Sequence, residues 1–105
     1  MARSSPPMSR DKFISFGTSK GWKLIPHKKN VTTEGTILER LNSEGETEKI
    51  TYWDTARTAA IKTKHRPMDY WYHTTRIQLE RMLASKKMSR KVLDKIKKDT
   101  YGKKT

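Results

Sequence analysis

Cysteine is absent from this 105-residue chain. That removes disulfides, thiolate metal sites and cysteine nucleophiles, and with them the secreted miniprotein held together by cross-links. Long apolar runs are missing too, and nothing approaches the roughly 20 residues that a membrane-spanning helix needs. The opening "MARSSPPMSR" lacks the apolar segment of a secretory signal. An intracellular home, in the cytoplasm, nucleoid or nucleus, with no membrane partner, is therefore expected. Also missing are a glycine-rich phosphate loop, a GXXG loop, zinc-finger spacing and the aromatic signature of RNA-recognition sheets. Acidic residues are scarce, 11 against 24 Lys plus Arg, for a formal net charge of +13.

These absences narrow the chemistry. A nuclease would gather carboxylates around a metal ion, whereas Glu39, Glu44, Glu46 and Glu48 are scattered about a turn that reads as solvent-exposed. His65, Asp69 and His73 recur at four-residue intervals, but Pro67 interrupts the helix that would align them. No catalytic residue, metal site or cofactor is expected. Apolar residues make up 32% of the chain and charged residues 33%, enough for one small core. A chain of this length buries roughly 65% of its unfolded surface.

What is present is positive charge, unevenly placed. Residues 1–30 carry seven basic and one acidic side chain, residues 31–54 two and six, and residues 55–105 fifteen and four. Concentrating the excess at both ends of an acidic middle makes a dipolar molecule whose basic surfaces seek a polyanion. Nucleic acid, DNA or RNA, is the leading partner. The candidate contacts are Lys20, Trp22, Lys23, His27, Lys28 and Lys29 in the first third, Arg57, Lys62, Lys64 and Arg66 in the middle, and Lys86, Lys87, Arg90, Lys91, Lys95, Lys97 and Lys98 near the end. Most of these cations would meet phosphates and carry little sequence information. Trp22, flanked by Lys20 and Lys23, is the ring best placed to stack on a base. The alternative is a regulator or accessory subunit that grips an acidic protein, with the acidic hairpin as a further docking surface.

Pattern gives an α+β organisation: a small antiparallel sheet of three or four strands in the N-terminal half, packed against two or three C-terminal helices. Residues 1–10 read as a flexible basic tail, 11–101 as one compact domain and 102–105 as a basic C-terminal tail. "KFISFGTSKGWKLIP" suggests strands Phe13–Thr18 and Gly21–Pro26, and "NSEGE" joins Thr36–Leu41 to Glu48–Trp53 in a hairpin that sends Tyr52 and Trp53 to opposite faces. Asp54 would cap a short helix within Thr55–Lys64, with Ala56, Ala59 and Ala60 on one face. Pro67 would open a main helix over Met68–Ser85, with Met68, Trp71, Tyr72, Thr75, Leu79, Met82 and Leu83 toward the core. Tyr70 and Ile77 fall on its opposite side, a stripe for the last helix, a protein partner or a homodimer. Ser89 caps that last, strongly basic helix, which ends near Tyr101.

The segment "ITYWDTARTAAIKTK" resembles, over some fifteen residues, the last strand and opening helix of the AP2-type DNA-binding domain. The resemblance implies an Asp-Thr-Ala step into an Ala-rich helix and a three-stranded sheet that docks in the major groove, with Gly21, Trp22 and Lys23 on its first strand.

Overall fold

The structure, a computed structural model, describes residues 7–25 and 35–100. Five strands, β1 (Lys23–Ile25), β2 (Thr36–Leu41), β3 (Thr47–Trp53), β4 (Thr58–Thr63) and β5 (Arg66–Trp71), form an antiparallel meander in chain order. Three helices accompany it, α1 (Arg10–Ser19), α2 (Arg76–Ala84) and α3 (Arg90–Thr100). The class is α+β, with two corrections. The sheet has five strands and runs into the C-terminal half, and one helix precedes it.

The expected strand Phe13–Thr18 is helical. Ser9 caps α1 by accepting from the Lys12 amide at 3.2 Å, and its two buried residues, Phe13 and Gly17, stand one turn apart. Gly17 lets α1 approach the sheet closely, since a Cβ there would come within 2.3 Å of Leu38 Cδ1 on β2 and the Leu38 side chain would have to shift. Met8 is buried as well, and its carbonyl accepts the Tyr52 hydroxyl at 2.7 Å. Burial pushes the Tyr52 phenol above its ordinary value, keeping it a neutral donor. Residues 8–10, read from the sequence as tail, thus belong to the fold. Residues 1–6 of that tail and the stretch 102–105 lie outside the described residues.

The short helix expected within Thr55–Lys64 is turn and strand, and the main helix expected over Met68–Ser85 begins as strand. Residues Asp54–Arg57 form a turn in which Arg57 takes a φ of 54°, and "TAAIKT" follows as β4 instead of a helix. The alanines have a packing reason. Tyr52, Ala59 and Trp71 are register partners across β3, β4 and β5, so the small residue lies between two large rings on the inner face. Pro67 is tolerated because β5 is an edge strand. Asp69 and Trp71 turn inward there and Met68 and Tyr70 outward, so Met68 and Tyr72, expected in the core, are exposed. A helix begins only after Thr75, whose capping box with Gln78 starts α2. Ser89 caps α3 as expected, accepting from the Val92 amide at 3.2 Å. With β4 in place of the Ala-rich helix, the likeness to the AP2-type domain fails at its defining step.

All three helices share one core with the inner sheet face. Phe13, Trp22, Leu79, Met82, Leu83, Leu93 and Ile96 bury with Leu38, Ile50, Tyr52, Ile61 and Trp71. Among the described residues no helix is long and apolar enough to cross a membrane.

At one end of this core sits a buried ion pair. Arg40 of β2 and Glu48 of β3 are 2.9 Å apart, with side chains 7% and 1% exposed. The second Glu48 oxygen accepts from Asn42 Nδ2 at 2.8 Å and from the Met88 amide at 2.9 Å. Arg40 donates to the Ser85 carbonyl and hydroxyl and lies 4.3 Å from the Trp22 ring centroid. Hairpin and α2–α3 linker are thereby one unit, joined further by the Ser43 amide on the Lys86 carbonyl at 3.0 Å. Removing one partner of such a pair strands the other charge in the core. Glu48→Ala is expected to lower the unfolding free energy by about 3–5 kcal/mol in urea titration. A loss near the 1 kcal/mol scale of a surface pair would contradict this role.

Candidate nucleic-acid interface

Because β residues alternate, packing the helices on one face leaves the other uncovered by them. Its side chains are set by the register. Lys23, Glu39, Lys49 and Lys62 are successive partners across β1 to β4, a row spanning about 14 Å at ordinary strand spacing. Two residues along, Ile25, Ile37, Thr51, Ala60 and Tyr70 make a second row across all five strands. Trp53 and Thr58 begin a third. The face therefore carries a basic row beside an apolar one that ends at an exposed tyrosine.

Two shallow depressions flank the basic row. One, of about 430 Å³, is lined by Glu39, Glu46, Lys49, Lys62 and Lys64 among others. The second, of about 480 Å³, is lined by Gly21, Lys23, Glu39, Arg40, Leu41 and Thr47. Glu39 offsets part of the charge, but Lys49 and Lys62 stand directly opposite one another. No ion pair engages Lys23, Lys49, Lys62 or Lys64 among the described residues. Like charges facing across two strands are destabilising.

The remaining candidate cations are distributed elsewhere. Lys20 lies 5.4 Å from the Phe16 ring at the end of α1, Arg57 is in the β3–β4 turn, and Arg66 faces Asp69 at 3.9 Å. Lys86 and Lys87 are in the α2–α3 linker, Lys87 bound to Glu44 at 2.6 Å. Arg90, Lys91, Lys95, Lys97 and Lys98 are on α3, where Lys95 pairs with Asp99 at 3.6 Å and Lys97 sits 4.8 Å from the Trp71 ring. His27, Lys28 and Lys29 lie outside the described residues.

Three expectations need correction. Trp22 offers no platform, since it is 3% exposed and donates its indole N–H to the Leu83 carbonyl at 2.9 Å. Tyr70 and Ile77 share no helical stripe: Tyr70 is on the outer face of β5 and Ile77 in the first turn of α2, each about half exposed. The acidic turn is not solvent-exposed throughout, because Glu48 is buried while Glu44 and Glu46 are bound by Lys87 and His65. His65 and Asp69 have such partners of their own, and no group of three or more His, Cys, Asp or Glu among the described residues could hold a metal ion. Lys49 was missed. The signal lay in the alternation that separates Tyr52 from Trp53, which also sends Lys49 to the outer face.

No family model, curated protein or solved structure matches the chain.

The hydrogen bond from His65, at 2.8 Å, is the main reason that the Glu46 carboxyl titrates below its ordinary value. The Glu44 carboxylate raises Lys87 in the same way, and Arg81 lowers Asp99. A depressed carboxylate stabilises the fold fully above its unfolded value, and the contribution is lost as pH falls through the folded one. Glu46→Gln is accordingly expected to flatten the acid limb of the melting temperature as pH falls below the ordinary carboxyl value of 4.5, with no difference in slope above it. An acid limb identical to wild type would remove this pair from the account. The lysine pair gives a second test, since Lys62→Glu turns repulsion into attraction. It is expected to stabilise by about 0.5–1 kcal/mol, raising the melting temperature by roughly 2–8 °C. An unchanged or lower melting temperature would mean that the two ammonium groups do not oppose each other.

Proposed function

We propose that this chain is a small, non-catalytic nucleic-acid-binding protein that grips the phosphate backbone of DNA or RNA across the outer face of its sheet. The observation that carries the reading is the Lys49–Lys62 pair on a face that none of the described helices covers. Like charges at directly opposite register positions oppose folding, and a polyanion lying over them relieves that repulsion while releasing its own counterions. Lys23 and Lys64 extend the positive strip, and the other cations raise the long-range potential that draws a polyanion in.

The helical side supports the reading less. On α3 the lysines alternate with Asp94 and Asp99, and the ion pairs of Asp99 with Arg81 and Lys95 belong to an ordinary solvated helix face. A non-catalytic role fits carboxylates spent on ion pairs: Glu44, Glu46, Glu48, Asp69, Glu80 and Asp99 each face a cation. An intracellular site of action, in the cytoplasm, nucleoid or nucleus, goes with a cysteine-free basic chain whose partner is nucleic acid.

The test is a binding titration by fluorescence anisotropy at several salt concentrations between about 50 and 200 mM. The logarithm of affinity is expected to fall against the logarithm of salt with a slope of several units. Substituting Lys49 and Lys62 together by alanine is expected to lower that slope by about two, one for each lost phosphate contact. Affinity indifferent to salt, or a double variant that binds as wild type, would overturn the proposal.

A further inference from the structure

Granting the nucleic-acid reading, on which this inference rests, we infer that the preferred ligand is single-stranded, with Tyr70 as the ring on which a base stacks. The first reason is width. Five strands at 4.7–4.9 Å make a face about 19 Å across, whereas the B-DNA major groove is about 12 Å wide and admits a two-stranded ribbon or a helix. The platform cannot enter a groove face-on. A flexible strand, by contrast, can lie across it.

The second reason is the order of the rows. The lysine row and the row ending at Tyr70 lie two residues apart along the strands, about 7 Å. Phosphates over the first row leave the bases over the second, where Ile25, Ile37 and Thr51 offer an apolar floor and Tyr70 a ring. Tyr70 is 46% exposed, and Met68, on the same face of β5, is 45% exposed. The Tyr70 and Tyr72 ring centroids are 6.3 Å apart in an edge-to-face arrangement, a contact that steadies Tyr70 while leaving it about half exposed. Charge beside an exposed ring is the combination that single-strand binders use, and it selects by unstacked bases rather than by sequence. An acidic protein would satisfy the lysines but has no use for the ring.

Electrostatics alone favours the duplex, the denser array of charge, so a preference for the single strand is diagnostic of stacking. The experiment compares a labelled single-stranded oligonucleotide of about 12 nucleotides with the matching duplex, using the whole chain, its Tyr70→Leu and Tyr70→Phe variants and the Lys49→Ala/Lys62→Ala double variant. Leucine keeps an apolar cover over Ala60, the register partner of Tyr70, and melting curves verify that each variant folds. The single strand is expected to bind more tightly than the duplex. Tyr70→Leu is expected to weaken single-strand binding roughly 5- to 150-fold without altering the salt slope. Tyr70→Phe retains the ring and is expected to bind as wild type.

A duplex preference, or single-strand binding untouched by Tyr70→Leu while the lysine variant weakens it, would overturn the single-strand inference and leave the nucleic-acid reading intact. A dimer that Tyr70→Leu dissociates with no change in oligonucleotide affinity would equally overturn it. Binding to neither probe would sink both readings.

Discussion

Arg40 and Glu48 form the contact on which the rest of the arrangement depends. Their ion pair is nearly sealed from water, where attraction must offset a large loss of hydration. The offset comes from saturation. Glu48 receives Arg40, Asn42 and the Met88 amide, and Arg40 is held between the Trp22 ring, Glu48 and Ser85. These partners come from four separate stretches of chain, so the pair fixes where the hairpin meets the helical layer. It also fixes which way β3 faces. A slip of one residue would move every side chain of that strand to the other side; with Glu48 committed inward, Lys49 is committed outward.

The two faces consequently have different work. The inner one is dense with Leu38, Ile50, Tyr52, Ile61 and Trp71 under the helices, and it accounts for folding. The outer one keeps two lysines opposed and leaves Met68 and Tyr70 half exposed, choices that a sequence shaped for stability alone would avoid. Surfaces that hold such unfavourable features commonly do so for a ligand, at some expense of stability.

How much of this was legible from the sequence differs by element. The β2–β3 hairpin could be read because its turn is local: Asn42 Oδ1 accepts the amides of Glu44 and Glu46, and Gly45 takes a φ of 76°. The last helix was equally local, with its Ser89 cap and a clean apolar stripe. Elements decided by distant contacts were not legible. Ile14 and Phe16 mimic strand alternation, yet the segment is the helix α1, whose Gly17 packs against Leu38, a residue far away in the chain. The alanines of β4 carry helix propensity, which the Tyr52 and Trp71 rings on either side override. In "RPMDYWYHTT" the period is two and only mimics a helical one, and the Thr75–Gln78 capping box marks the true helix start. For the interface, Lys23, Lys62 and Lys64 could be named from the distribution of charge, whereas Tyr70 stands out in the sequence only as part of a helical stripe for a protein partner, and bringing the four onto one face needed the register.

The central claim is that nucleic acid lies on the outer sheet face and leaves the helical layer alone. Chemical-shift mapping of the isotope-labelled protein during titration with a single-stranded oligonucleotide tests it most directly. The account predicts that the perturbed residues are Lys23, Lys49, Thr51, Lys62 and Tyr70, with α3 and the buried Arg40–Glu48 contact undisturbed. Perturbations concentrated on Arg90, Lys91, Lys95 and Lys98, with the sheet silent, would contradict it.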